Sequence, residues 1–197
     1  MKNTLSLLLL LCTFACQAYN QQSVYDFDIK HWGSAEGLSN NSVRSVSQDA
    51  QGYIWLATQY GLNRFDGMQF EHFNKETHRH LASNAITRLY HDSRGYMWVG
   101  TKAGLSGFDP VDLTFERYQI LSEVTAIVEV SPGEIWVAAD SLFRVRDGKV
   151  SRVEQIRSQV GQLELVNNQV WVTSTDKLFR IDIEGNTESF LLPPELM

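Results

Sequence analysis

The sequence predicts an all-β protein made by repeating one four-stranded antiparallel unit. Three observations carry this expectation. Four tryptophans, Trp55, Trp98, Trp136 and Trp171, recur about every 40 residues. The apolar residues around each tryptophan agree position by position. Turn-forming residues separate runs of about five residues, the usual length of a strand.

The first segment stands apart from the repeat. Lys2 supplies a positive charge, Leu5 to Ala15 is an apolar stretch containing the run Leu7 to Leu11, and Cys16 and Ala18 are small. This pattern predicts a secretory signal peptide over residues 1–18, cut before Tyr19. Thr13-Phe14-Ala15-Cys16 has the outline of a lipoprotein box, but Thr13 and Phe14 fit it poorly, so simple cleavage is expected. Both cysteines, Cys12 and Cys16, would leave with the signal peptide, and the mature chain could form no disulfide or thiolate metal site. Residues 19–40 are expected to hold a spare strand, Val24 to Trp32, followed by a linker.

The repeat begins at residue 41. An aliphatic residue stands twelve positions before Trp55, Trp98 and Trp136, namely Val43, Ile86 and Val124; Val160 takes this place in the fourth copy. Val46, Leu89, Ile127 and Leu163 follow three positions later. Aliphatic residues flank each tryptophan, and a small residue comes three after it: Thr58, Thr101, Ala139 or Ser174. Leu62, Leu105, Leu142 and Leu178 come next, then Phe65, Phe108, Val145 and Ile181. The copies close on Phe70 and Phe73, Phe115 and Tyr118, Val150 and Val153, and Thr187 and Phe190.

The turns fit this division. Asp49-Ala50-Gln51-Gly52 and Asp92-Ser93-Arg94-Gly95 join first and second strands, because Asp accepts bonds from the backbone that follows it and Gly allows positive φ. Tyr60-Gly61, Ala103-Gly104, Asp66-Gly67 and Asp147-Gly148 serve the later connections. Strands joined by such short turns must pair antiparallel. Repeated four-stranded meanders of this size are propeller blades. The expected blades span residues 41–73, 84–118, 122–154 and 158–192. A β-sandwich also uses short strands at regular spacing, but its strands have no reason to resemble one another. The fourth copy already has an outer strand, so the spare N-terminal strand finds no blade to complete within the chain. The four blades are therefore expected to form an open arc or partial propeller, a closed four-bladed ring being the alternative.

Gly37-Leu38-Ser39-Asn40-Asn41-Ser42-Val43, then Asp49-Ala50-Gln51-Gly52-Tyr53-Ile54-Trp55, then Gly61-Leu62-Asn63-Arg64-Phe65-Asp66-Gly67 resembles the two-component regulator propeller repeat. The second copy is similar over Asp92 to Thr101 and Gly104-Leu105. The third and fourth lack the Asp-x-x-Gly and Gly-Leu pieces. The resemblance implies the periplasmic sensor part of a membrane protein. It also implies further blades and a membrane-linked output domain downstream: a histidine kinase, a diguanylate cyclase or a DNA-binding regulator.

Composition narrows the function. Seventeen basic against twenty-three acidic residues give a net charge of -6 and no basic stripe, which argues against a nucleic-acid binder. No phosphate loop, Ser-His-Asp set or paired carboxylate stands out, so no cofactor and no catalytic residue is expected. Among His31, His72, His78, His80 and His91, the stretch His78-Arg79-His80 lies in the segment 74–84 that lengthens the first repeat. Arg79 opposes metal binding there, so no metal is expected. These three residues are instead the best sequence candidates for contact with an unknown ligand, a saccharide being one class, because propellers bind through loops on a rigid scaffold. Arg64, Arg144 and Arg180 recur before the third-strand apolar position, either as a ring of guanidinium groups suited to acidic sugars or as the solvent side of half-exposed strands; Gly107 interrupts the series. The inner strands offer Ser45, Ser47, Arg88 and Glu129, poor material for acid–base chemistry. The leading expectation is a periplasmic sensor segment that binds without catalysis. A secreted propeller lyase or glycosidase, and a fragment without an independent role, are the rivals.

Overall fold

The computed structural model describes residues 29–156, 159–182 and 185–193. Two units divide the chain, 1–31 and 32–197. The signal peptide and its cut before Tyr19 lie outside the described residues. So does most of the spare strand Val24 to Trp32, and its described residues, 29–32, form no strand.

The second unit holds four sheets of four strands each. Blade 1 comprises β1 (Ser45–Gln48), β2 (Ile54–Thr58), β3 (Gly61–Phe65) and β4 (Phe70–Phe73). Blade 2 comprises β5 (Ile86–His91), β6 (Met97–Thr101), β7 (Gly104–Phe108) and β8 (Phe115–Arg117). Blade 3 comprises β9 (Ala126–Ser131), β10 (Glu134–Ala138), β11 (Leu142–Arg146) and β12 (Lys149–Arg152). Blade 4 comprises β13 (Val160–Val166), β14 (Gln169–Ser174), β15 (Lys177–Asp182) and β16 (Thr187–Leu191). Strands follow one another in order within every sheet, so each blade is an antiparallel meander. Successive blades touch through their inner strands, β5 against β1 and β2, β9 against β5 and β6, and β13 against β9 and β10. No comparable contact joins blade 4 to blade 1 among the described residues. The architecture is an open arc of propeller blades.

The repeated residues explain the blade geometry. Asp49 Oδ1 accepts the backbone N–H groups of Gln51 and Tyr53, both at 3.0 Å, and closes the β1–β2 turn. Its Oδ2 accepts the indole N–H of Trp55 at 2.7 Å. Asp92 repeats all three bonds, to Arg94, Tyr96 and Trp98. One carboxylate thus fixes a turn and satisfies a buried indole, which would otherwise lose a hydrogen bond on leaving water. In blade 3, Glu134 takes over the indole of Trp136 at 3.0 Å, from the strand rather than the turn. Thr58 and Thr101 close the next turn by donating to the carbonyls of Gly61 and Gly104, each at 2.8 Å. Gly104 has φ of 129°, and a Cβ there would lie 2.1 Å from the Ile120 carbonyl oxygen, so only glycine fits.

The core lies between blades. Trp55 packs against Phe108 of blade 2, with ring centroids 4.8 Å apart, and both rings are fully buried. Leu81 and Ile86 join the same cluster. Trp98 packs with Val124, Ile135 and Val145 of blade 3, and Trp136 with Val160, Val170 and Ile181 of blade 4. Hydroxyls add directional ties: Thr87 Oγ1 donates to the Val124 carbonyl at 2.7 Å and Thr125 Oγ1 to the Val160 carbonyl at 3.0 Å. The segment leading into each of the first two blades is stitched to that blade's own third strand. Asn63 Oδ1 accepts the Ser39 N–H, and Ser106 Oγ accepts the Ala82 N–H while donating to the His80 carbonyl.

Candidate functional site

Three surfaces could carry function: the loop over residues 74–84, the inner strands, and the clefts between blades. The loop separates its three candidate residues. The His78 ring packs against Phe73 and Phe115, at centroid distances of 5.0 and 4.8 Å. Its Nδ1 lies 2.9 Å from Thr77 Oγ1. Burial against these rings lowers its pKa below the ordinary 6.5, and the nearby Glu71 charge opposes the shift. His78 thereby pins the loop. Arg79 and His80 are exposed, and His80 borders a shallow depression with Phe115, Glu116 and Tyr118. His72 Nε2 is turned elsewhere, 2.6 Å from the Gly37 carbonyl. Among the described residues no three His, Cys, Asp or Glu side chains gather as metal ligands would.

The inner strands use their polar groups in construction. Glu129 accepts the Ser93 N–H and hydroxyl, both at 2.8 Å, and so ties the β5–β6 turn to blade 3. Ser45 Oγ accepts the Leu89 N–H at 3.1 Å. An Arg88 Nη1 donates to the carbonyl of its neighbour Thr87.

The recurring arginines do not form a ring of open guanidinium groups. Arg64 pairs with Glu71, Arg180 with Glu188, and Arg144 with Glu134 at 2.7 Å. Each also lies over its blade's tryptophan, with Cζ to ring-centroid distances of 5.7 Å for Trp55, 5.8 Å for Trp136 and 5.9 Å for Trp171. Such contacts contribute roughly 0.5–1 kcal/mol each at half-exposed sites. Gly107 breaks the series for a physical reason: the Tyr96 ring fills its place, 2.4 Å from where a Cβ would stand.

The clefts between blades differ in what fills them. Between blades 2 and 3, Tyr118 Oη lies 3.0 Å from Glu116 Oε2 and 3.3 Å from Tyr96 Oη. Burial, foremost, pushes Tyr118 up to about 12, and burial with its Tyr118 hydrogen bond drives Tyr96 well above the ordinary phenol value. Both phenols stay protonated and act as donors. Between blades 3 and 4 the cleft is larger, about 690 Å³, and its wall carries Arg144, Arg146 and Arg152. Sequence reasoning isolated Arg144 but missed this group. Arg146 stands where the other copies carry Asp66, Asp109 and Asp182, and Arg152 is repeated by Arg117 of blade 2, so periodicity does not single them out as a pair.

Residues 37–60 and 80–103 match the two-component regulator propeller. Each match runs from the lead-in of a blade to the end of its second strand, once in blade 1 and once in blade 2. Over 46 residues it is 41% identical to histidine kinase P4 of Formosa agariphila, spanning 23% of this chain and 3% of that protein. Its fold is similar to the extracellular domain of BT3049, assigned to the hybrid two-component systems of B. thetaiotaomicron. The TM-score is 0.72 at 24% identity, over 82% of this chain and 26% of that one. It is also similar to virginiamycin B lyase from Staphylococcus aureus, with TM-score 0.60 and 15% identity, over 77% of this chain and 56% of that one. The chain therefore spans about a quarter of the first of these structures. At these identities the likeness establishes the propeller fold, for the extracellular domain and for the lyase alike. No helix among the described residues is long and apolar enough to cross a membrane.

Proposed function

We propose that this chain is the propeller part of an exported sensor in a two-component signalling protein, and that it binds a ligand or partner without transforming it. The observation that carries the reading is the pair of successive repeats in blades 1 and 2, each complete from the Gly-Leu or His-Leu lead-in through the Asp–Trp clamp to the Thr–Gly turn. BT3049, an extracellular domain with the same fold, supports it. The inner strands support the absence of catalysis, because Glu129 and Ser45 are consumed in holding blades together. Signal output is assigned to domains outside this chain, and the N-terminal segment to export.

The experiment is a thermal-shift screen of the purified chain against small molecules, with each hit then assayed by mass spectrometry. A ligand at a hundred times its Kd stabilises the fold by about 2.7 kcal/mol. The expected result is a raised Tm with the compound recovered unchanged. Conversion of the compound by the chain would contradict the reading. N-terminal sequencing of exported protein is expected to start at Tyr19, and an intact Met1 or a lipid-modified Cys16 would contradict simple export.

A further inference from the structure

We infer that the cleft between blades 3 and 4 is a binding site for a small hydroxylated carboxylate, held by Arg146 and Arg152. The inference rests on reading the chain as a ligand-binding propeller and gives that reading a place and a chemistry.

The cleft is about 690 Å³, within the range of small-molecule sites. Its charged groups are unequally occupied. Glu134 is nearly buried and already engaged: it accepts from Trp136 Nε1 at 3.0 Å, pairs with Arg144 at 2.7 Å and meets Arg146 Nη1 at 3.4 Å. Arg144 is thus committed to Glu134. Arg146 touches the same carboxylate through one long contact and keeps a side chain 66% exposed. Arg152 is held rather than consumed. Its Nε donates to Ser141 Oγ at 2.7 Å and its guanidinium lies 5.9 Å from the Phe143 ring centroid. Those contacts fix the plane of the group and, among the described residues, leave the terminal nitrogens to offer.

Glu154 also borders the cleft and is engaged in an interaction of its own. Counting Arg144, Arg146 and Arg152 against Glu134 and Glu154, the described wall carries one excess positive charge. A carboxylate is the group that matches guanidinium forks in a planar, two-point contact. The Ser151 hydroxyl and Asn168 carboxamide add neutral donors and acceptors for ligand hydroxyls, and Val130, Val153 and Ile181 supply an apolar floor. The cleft between blades 2 and 3 offers no such site. There Tyr96, Tyr118 and Glu116 bond to one another, and the volume falls to about 310 Å³.

The test is calorimetric titration of the full chain with glucuronate, with glucose as the uncharged match and sulfate as the inorganic anion. The variants are Arg146→Gln, Arg152→Gln and their combination, with Arg180→Gln as the control outside the cleft. Glucuronate is expected to bind while glucose does not, and each cleft substitution to weaken binding by about tenfold or more, the scale of a charged hydrogen bond. Arg180→Gln is expected to bind as the unaltered chain does. Sulfate binding as tightly as glucuronate would overturn the carboxylate assignment. No glucuronate binding, or equal binding by the double variant, would overturn the site. Compounds from the thermal-shift screen that bind the double variant unchanged would overturn this cleft alone and leave the ligand-binding reading standing.

Discussion

Blades 1 and 2 carry nearly the same motif, yet equivalent residues live in different surroundings. Ile86 is fully buried at the start of blade 2, while its counterpart Val43 in blade 1 is 38% exposed. Phe108 and Phe115 are buried against blade 1, whereas Phe65 and Phe70 are only half-buried. Among the described residues a single ring stands in place of a preceding blade: Trp32 packs edge-on to Phe65, with centroids 4.7 Å apart, and reaches Phe70 at 6.1 Å. The other end of the arc shows the same contrast. Trp55, Trp98 and Trp136 are buried under a following blade, whereas Trp171 is half-buried and stacks on Phe190 of its own sheet. The lesson is that the motif builds the blade, but the neighbouring blade makes the core.

The largest expected effect follows from that contrast. Trp55→Ala should cost roughly 3–5 kcal/mol, the scale for a buried aromatic, and Trp171→Ala about 1–2 kcal/mol. Urea unfolding of both variants reads the difference, and equal losses would break the comparison. At the other face, Ile86→Ala should cost about 2–4 kcal/mol and Val43→Ala at most about 1 kcal/mol. A Val43 loss matching that of Ile86 would mean that blade 1 is covered after all.

The Asp–Trp clamp sharpens the comparison within buried blades. Asp92→Ala removes two turn bonds and orphans the Trp98 indole, at a cost of roughly 2–3 kcal/mol. Asp49→Ala should cost about the same, because its three bonds are the same. Equal stability of either variant and the parent chain would remove the clamp from the account.

The smallest effect concerns His78. Its folded-state pKa lies below the ordinary 6.5, so the unfolded chain binds the proton more readily. The stability that His78 contributes is complete above pH 6.5 and is lost as pH falls from there through the lowered value. His78→Phe should keep the ring packing and flatten the stability profile below that pH. An unchanged acid slope in this variant would contradict the assignment.

Much of this was legible in the sequence. The tryptophan spacing and the Asp-x-x-Gly turns located the sheets, because both act within one blade and repeat with it. The aspartates were read as turn formers, which they are, but their second oxygen on the indole was not foreseen. That bond spans six residues and depends on the hairpin geometry. His78-Arg79-His80 read as one exposed cluster, and the structure divides it, since burial of His78 depends on Phe115 of the next blade. The arginine series was legible as a series and not as ion pairs, because each partner comes from a neighbouring strand: Glu71 and Glu188 directly opposite on the fourth strand, Glu134 on the second. Arg146 was invisible to a search for repeats because the other copies carry an aspartate in its place, and Arg152 because it recurs only as Arg117.

The central claim, an open arc whose end blades have no further blade against them among the described residues, is tested most directly by native-state hydrogen exchange resolved by strand. Protection reflects local opening, which is cheaper where fewer apolar contacts must break. The account predicts the slowest exchange in β6 and β10, intermediate exchange in β2 and the fastest in β14 and β15. Protection of β14 equal to that of β6 would mean that blade 4 is covered by blade 1 in a closed ring, and would contradict the open arc.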